Sequence, residues 1–195
     1  METERPVSEN RNQYDMRILI SSSEIQRRIE ELGAKITRDY EGGELTIIGT
    51  LKGCFIFMAD LVRHIHVPLH VDFIEVSSYG NEKTSSGIVK ITKDFKHSIE
   101  DKHVILVEDI IDTGLTLNYL MENFLLRKPA SVKIASLLVK EAKQQLNYPI
   151  DYRGFDIDDH FVIGYGMDYA GKFRNLNHIA VLDDDNQLSL FGGGD

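Results

Sequence analysis

The length and composition of the chain are those of a single globular domain: 195 residues, 42% of them hydrophobic and 27% charged, are enough for one good core. The formal net charge of −9 disfavours a general nucleic-acid-binding surface, which needs an excess of Lys and Arg. A single cysteine, Cys54, excludes an internal disulfide, and the polar start and short apolar runs predict a soluble, cytoplasmic protein with no membrane contact.

The first part of the chain predicts alternating strands and helices. Ser21 and Glu24 form a capping box ahead of apolar residues at helical spacing, and Gly42-Gly43 is typical of a helix end. The predicted elements are, in chain order, a loosely held arm over residues 1–13, a strand at 18–20, a helix from the capping box to about residue 40, a strand at 45–51, a helix from 54 to about 65 and a strand at 69–77.

A polar segment follows this strand, from Ser78 to Gly87. It has almost nothing to bury, and the plain interpretation is a long hairpin connection to a strand predicted at 88–92. Loops of this length inside a compact domain are also often lids over a site. The residues alone leave both interpretations open.

The stretch from Val104 to Leu117 is predicted to carry the site. Four apolar residues indicate a short buried strand, the carboxylates of Glu108 and Asp109 follow it, and an amphipathic helix comes next. The turn after Asp112 can point N–H groups and hydroxyls at a phosphate, while the acid pair suits a sugar or a divalent cation. Helix capping would explain Asp112 and Thr113, but not two adjacent like charges. A site for a phosphorylated sugar is therefore predicted.

The last third of the chain predicts further strands joined by polar turns. These elements are a strand at 131–139 followed directly by Lys140, an irregular stretch over 141–158, a strand with an acidic turn within 159–169, a last strand at 178–182 and a disordered acidic, Gly-rich tail over 183–195.

The run E-D-x-x-D-T-G-x-T at residues 108–116 resembles the 5-phosphoribosyl diphosphate (PRPP) signature of the type I phosphoribosyltransferases. Other motifs occur in the family's order, namely Leu51-Lys52-Gly53, Ser78-Tyr79, Leu137–Lys140, Gly164–Tyr169 and Phe173–Leu176. The resemblance covers residues 15–182 and is closest to the bacterial 6-oxopurine branch. It implies an α/β fold in one domain over 14–182, with a mostly parallel twisted sheet flanked by helices and a small hood from the N-terminal segment and about 150–182.

The resemblance also implies how PRPP is held. Glu108 and Asp109 would bind the ribose hydroxyls, and the 5′-phosphate would lie on a loop of five residues, Asp112, Thr113, Gly114, Leu115 and Thr116. The diphosphate would be bound by Lys52, Gly53 and Arg174, with a strained Leu51–Lys52 peptide whose cis or trans geometry is open. Some relatives have Lys at the position of Leu115, so phosphate binding here must use backbone N–H groups and the two Thr hydroxyls.

Further implied roles concern the base, the metal and the lid. Lys140 would donate to the oxygen at position 6 of a purine, Phe161 would stack on the base, and the backbone of Val162 would read its edge. Asp168 would coordinate Mg²⁺, with Glu108 and Asp109 as direct or indirect ligands. Ser78 and Tyr79 would open a mobile loop that closes over the reacting centre and excludes water.

The implied activity is purine salvage. The 5-phosphoribosyl group of PRPP would pass to N9 of hypoxanthine, and of guanine, giving IMP or GMP and diphosphate, with Asp112 handling the purine N7 proton. The expected partners are these small molecules and further copies of the chain, in a homodimer or homotetramer. Two alternatives remain open: a phosphoribosyltransferase for xanthine or a pyrimidine, and a non-catalytic, nucleotide-sensing regulator that binds RNA.

Overall fold

A computed structural model describes residues 16–79 and 88–182. The arm predicted for 1–13, most of the loop predicted for 78–87 and the tail predicted for 183–195 lie outside the described residues. The elements are β1 (Met16–Ile20), α1 (Ser22–Asp39), β2 (Leu45–Leu51), α2 (Phe55–Arg63), β3 (Leu69–Tyr79), β4 (Ile88–Lys93), β5 (His103–Ile111), α3 (Leu115–Leu125), β6 (Ser131–Lys140), a 3-10 turn (Glu141–Lys143), β7 (Tyr152–Ile157), β8 (Val162–Ile163) and β9 (Ile179–Leu182).

A six-stranded sheet forms the centre of the fold, in the order β4-β3-β2-β5-β6-β7. All neighbouring strands are parallel except β3 and β4, which are antiparallel. The carboxyl ends of β2, β5 and β6 therefore lie at the same edge. The predicted fold class, a mostly parallel sheet flanked by helices, is confirmed.

Helices cover both faces of this sheet, as the alternation along β5 shows. Ile105 and Val107 pack in the core that contains α1 and α2, whereas Val104 and Leu106 pack in the core that contains α3. Successive strand residues point to opposite faces, so α3 lies across the sheet from the other two helices. The capping box at Ser21 is present as predicted.

A second, three-stranded sheet has the order β1-β9-β8 and is antiparallel. It joins the N-terminal strand to residues 162–182 and corresponds to the expected hood, but β7 does not belong to it. The prediction of an irregular stretch over 141–158 is wrong for 152–157, which pair in parallel with β6 at the edge of the large sheet. The composition of β7 hides it: this edge strand contains Gly154 and charged residues, so its apolar alternation is weak.

The strands β5 and β3 run further at their carboxyl ends than predicted. β5 continues through Glu108 and Asp109 to Ile111, and β3 continues through Ser78 to Tyr79. Pairing with β6 extends β5 because Glu108 and Ile110 lie opposite residues of that strand, and pairing with β4 extends β3. The acid pair is thus part of a strand and not of the turn after it. None of the described helices has the length and apolar character needed to cross a membrane.

Candidate functional site

The predicted site residues of the large sheet meet at the carboxyl ends of β2, β5 and β6, where ligands bind in open α/β sheets. Part of the hood closes over this edge and leaves a cavity of about 340 Å³. The cavity is lined by Lys52, Gly53, Asp109, Ile110, Asp112, Lys140, His160, Phe161, Val162, Met167, Asp168 and Arg174. Strands and hood therefore bring together segments that are far apart in sequence.

A second cavity of about 230 Å³ lies against the start of α3. Its lining consists of Thr50, Val76, Glu108, Ile110, Ile111, Asp112, Thr113, Gly114, Thr116 and Leu117. Ile110 and Asp112 line both cavities, so the two are neighbours that meet at Asp112. A larger cavity of about 620 Å³ lies beside β7 and β1, but it contains none of the predicted site residues.

The loop before α3 is shaped by a glycine rather than by a capping side chain. Gly114 is the N-cap residue, has a φ of 79° and makes no side-chain cap, and this left-handed conformation favours glycine. Helix capping therefore does not explain Asp112 and Thr113. The Leu115 N–H reaches the Thr113 hydroxyl only over a long distance of 3.5 Å. The Asp112 carboxylate is half exposed and faces the cavities.

Glu108 and Asp109, at the end of β5, are two buried carboxyl groups next to each other, which is an unfavourable environment for their charges. Glu108 is 6% exposed, and burial, with the neighbouring charge of Asp109, raises its pKa well above the usual range. Burial also raises the pKa of Asp109 to about 6, against the opposing effects of its backbone hydrogen bonds and of Arg174. Such carboxylates are stabilised by hydroxyl donors or by a cation. The pair is suited to a sugar or a divalent metal ion.

The turn after β2 lies directly on this acid pair. The Leu51–Lys52 peptide bond is cis. A Cβ atom at Gly53 would lie only 1.6 Å from Oδ2 of Asp109, so no larger residue fits unless the carboxylate moves. Lys52 and Gly53 line the larger of the two neighbouring cavities, opposite the hood.

Lys140 is a buried cation between two carboxylates. Its side chain is 10% exposed, and Nζ lies 3.7 Å from Oδ2 of Asp112 and 3.2 Å from Oδ1 of Asp159. A buried cation needs such partners because it loses its hydration. Asp159 was not predicted from the sequence. The one indication of it is that a buried Lys at the end of a strand needs an anion nearby.

The hood contributes an aromatic wall and an ion pair. The Phe161 ring is 43% exposed and meets Tyr169 edge to face, with centroids 5.6 Å apart. Asp168 Oδ1 lies 2.5 Å from Arg174 Nη2, so the predicted metal ligand and the predicted diphosphate ligand contact each other. His160 and Met167 also line the cavity; Met167 lies within the Gly164–Tyr169 motif, but no role had been predicted for either residue.

No complete metal cage is present among the described residues: no three or more His, Cys, Asp or Glu side chains are arranged to hold an ion by themselves. Mg²⁺ commonly takes one or two carboxylates and completes its shell with water and substrate phosphates. Asp168 and the adjacent carboxyl groups of Glu108 and Asp109 suit that mode of coordination. These residues therefore fit an Mg²⁺ ion whose coordination shell is completed by a phosphorylated substrate.

Ser78 and Tyr79 are described only by their backbone. They end β3, where Ser78 pairs with Val89 and Tyr79 with Ile88. The loop that they were predicted to open lies, from residue 80 to 87, outside the described residues.

Comparisons with known proteins agree on one family of enzymes. The profile of the phosphoribosyl transferase domain matches residues 21–170. A hypoxanthine-guanine phosphoribosyltransferase of Bacillus subtilis is 49% identical over 166 residues, which is 85% of this chain and 92% of that protein. A hypoxanthine phosphoribosyltransferase of Haemophilus influenzae is 46% identical over 83% of this chain and 92% of its own length.

Solved structures show the same similarity. The hypoxanthine-guanine phosphoribosyltransferase of Bacillus anthracis with HEPES in its active site has a TM-score of 0.83 and 44% identity, over 88% of this chain and 100% of that one. A Trypanosoma cruzi hypoxanthine phosphoribosyl transferase, studied for the role of its C-terminal region in oligomeric state and activity, has a TM-score of 0.87 and 41% identity, over 93% and 98% of the two chains.

Proposed function

The chain belongs to the phosphoribosyl transferase family, and we propose that it transfers the 5-phosphoribosyl group of PRPP to N9 of hypoxanthine or guanine and releases diphosphate. One observation supports this most directly. The cavity at the signature loop and the cavity that holds Lys140 and Phe161 meet at Asp112. A phosphorylated sugar in the first and a base in the second would place their reacting atoms at the junction.

The substrates would occupy the two cavities as follows. The 5′-phosphate lies at the start of α3, where the loop 112–116 offers N–H groups and the helix dipole favours an anion. The ribose hydroxyls reach Glu108 and Asp109, and the diphosphate lies between the 52–53 turn and Arg174. The base lies against Phe161, with the backbone of Val162 at its edge.

Lys140 and Asp112 suit one edge of a 6-oxopurine. O6 and N7 of such a base lie side by side on the same edge, as Lys140 Nζ and Asp112 Oδ2 do at 3.7 Å. Lys140 would donate a hydrogen bond to O6, and Asp112 would accept the N7 proton as N9 attacks the ribose. General base help of this kind contributes about 10²–10⁴-fold to a rate.

Charge on the leaving group is handled by the chain's own cations. Departure of diphosphate builds negative charge, which Lys52 and Arg174, both in the lining of the cavity, would stabilise. Positive charge develops on the ribose, next to the carboxylates of Glu108 and Asp109. Mg²⁺, when bound with the substrate through Asp168, would neutralise part of the diphosphate charge.

A panel of bases tests the proposal. The protein is incubated with PRPP, Mg²⁺ and one of hypoxanthine, guanine, xanthine, adenine or orotate, and the nucleotide and diphosphate formed are quantified. Turnover is expected with hypoxanthine and guanine and not with adenine. Turnover confined to xanthine or orotate would assign another base. Retention on immobilised RNA, without diphosphate release for any base, would favour the regulator.

Lys140→Met should lower kcat/KM for hypoxanthine. The substitution removes the hydrogen bond from the charged amine to O6. Loss of such a bond should lower kcat/KM by roughly tenfold to a hundredfold. Lys133→Met is the matched control, because Lys133 lies near the other end of the same strand and contacts Asp39 and Tyr152. Steady-state kinetics of both variants check this. Equal losses for the two would contradict the role of Lys140.

We also propose a cytoplasmic homo-oligomer, a dimer or tetramer. Support comes from the Trypanosoma relative, whose C-terminal region was studied for its role in oligomeric state. Light scattering of the purified full chain measures the mass directly, and a mass of one chain at all concentrations would contradict this proposal.

A further inference from the structure

A buried tyrosine lies in a tight turn of the hood. Gly164, Tyr165 and Gly166 follow one another with φ values of 94°, 50° and 103°, a run of left-handed conformations. Such a conformation is uncommon for a side-chain-bearing residue and needs contacts that hold it. Tyr165 is 3% exposed, so those contacts lie inside the protein.

The contacts come from the two helices on the α1–α2 face of the large sheet. The Tyr165 hydroxyl donates a short hydrogen bond to Oδ2 of Asp60 in α2. The Gln26 amide of α1 donates to the Tyr165 hydroxyl and to the same Asp60 oxygen, each at 3.2 Å. Burial, with the neighbouring Asp60, raises the pKa of Tyr165, so the phenol stays a neutral donor. We call Gln26, Asp60 and Tyr165 the tyrosine cluster.

The other side of the same turn touches the proposed diphosphate site. A Cβ atom at Gly166 would lie 2.1 Å from the carbonyl oxygen of Gly53, so the turn rests directly on the segment after β2. The Gly166 N–H donates to the Arg174 carbonyl at 3.0 Å, and the Arg174 guanidinium donates back to the Gly166 carbonyl at 2.7 Å. The position of the turn therefore sets the distance between the 52–53 segment and Arg174.

We propose that Tyr165 is a positioning residue for the diphosphate: through Asp60 and Gln26 it fixes the 164–166 turn, and the turn holds Arg174 at the right distance from Lys52 and Gly53. This inference rests on the proposed function and assigns a specific part of substrate binding to residues outside the site. Lys140 lies at the end of β6, and the Leu182 N–H of β9 donates to the Phe161 carbonyl, so the residues that contact the base are anchored outside this turn. Loss of the cluster should therefore weaken binding of PRPP and leave binding of the base unchanged.

Tyr165→Phe removes the hydroxyl and keeps the ring. KM for PRPP should rise roughly tenfold, the lower end of the effect of losing one hydrogen bond to a charged partner, because the loss acts on PRPP only through the turn, while KM for hypoxanthine changes by less than twofold. Asp60→Asn should act in the same direction, and the double variant should be no worse than the more affected single one, because both changes break one contact.

Tyr152→Phe is a matched control. Tyr152 is also buried, and its hydroxyl donates to an acid of α1, Asp39, at 2.8 Å, but it lines neither of the two site cavities. This variant should lower Tm as Tyr165→Phe does and leave both KM values unchanged. If Tyr165→Phe lowers Tm with an unchanged KM for PRPP, its role is purely structural and the inference is wrong.

A binding measurement separates this inference from the proposed function. Calorimetric titration of diphosphate with Mg²⁺ into the full chain should show a Kd that rises in Tyr165→Phe by the same factor as KM for PRPP. An active wild type with an unchanged Kd in the variant overturns the inference alone. A wild type that neither turns over nor binds diphosphate overturns the proposed function, and this inference falls with it.

Discussion

Asp112→Ala is expected to lower kcat by about 10²–10⁴-fold, the usual contribution of a general base, with little change in KM for PRPP. The 5′-phosphate is proposed to use N–H groups and the hydroxyls of Thr113 and Thr116, which this substitution leaves in place. The carboxylate is half exposed and lies 3.7 Å from Nζ of Lys140. Lys140 keeps Asp159 at 3.2 Å, so the variant should fold.

Two variants sharpen this experiment. Asp112→Asn keeps the size of the side chain and removes the base, so it should lose as much kcat as Asp112→Ala. Asp94→Asn is the control, since Asp94 pairs with Arg127 at 2.8 Å and lines neither site cavity. Steady-state assays with PRPP varied at saturating hypoxanthine separate kcat from KM. Turnover by Asp112→Asn equal to that of the wild type would remove Asp112 from the chemistry.

Local runs of sequence were enough to predict much of the fold and the candidate site. A strand, a turn and a helix that follow one another bring their own residues together, so the run 108–116 and the 51–53 turn could be placed at strand ends from sequence alone. The parallel sheet then puts those ends at one edge. The capping box at Ser21 is equally local, since its two partners are three residues apart.

Contacts between distant segments could not be predicted in this way. Asp159 reaches Lys140 across 19 residues of sequence, and Tyr165 reaches Asp60 across 105. Neither pair has a spacing that secondary structure imposes. The strand over 152–157 was missed for a related reason, because pairing with β6 makes it a strand while its own residues show little alternation.

The same distinction applies to position 53, where a residue on another strand, Asp109, is what requires a glycine. At the sequence level Lys52-Gly53 is an ordinary turn, and glycine there would be explained by backbone freedom. The structure gives a different reason: the backbone of the turn lies against the Asp109 carboxylate, where a Cβ would approach Oδ2 to 1.6 Å. Gly53 thus allows the 52–53 turn and the carboxylate of Asp109 to share one small space.

Gly53→Ala is therefore expected to raise KM for PRPP and lower kcat/KM by roughly tenfold to a hundredfold, because the displaced carboxylate of Asp109 loses a hydrogen bond that it accepts from a ribose hydroxyl. Gly43→Ala is the control, since a Cβ there meets only the Tyr40 carbonyl at 3.3 Å. Kinetics of each variant with PRPP varied provide the measurement.

A double variant identifies the cause of the Gly53→Ala effect. Asp109→Ala removes the atoms that the new methyl group would strike, namely Oδ2 at 1.6 Å and Cγ at 2.4 Å. Gly53→Ala should therefore add almost nothing to Asp109→Ala, since neighbouring substitutions that act through one contact are not additive. Fully additive losses in the two kcat/KM values would mean that the methyl group blocks PRPP itself. In that case the turn acts through its own contact with diphosphate, and the position of Asp109 is not what limits binding.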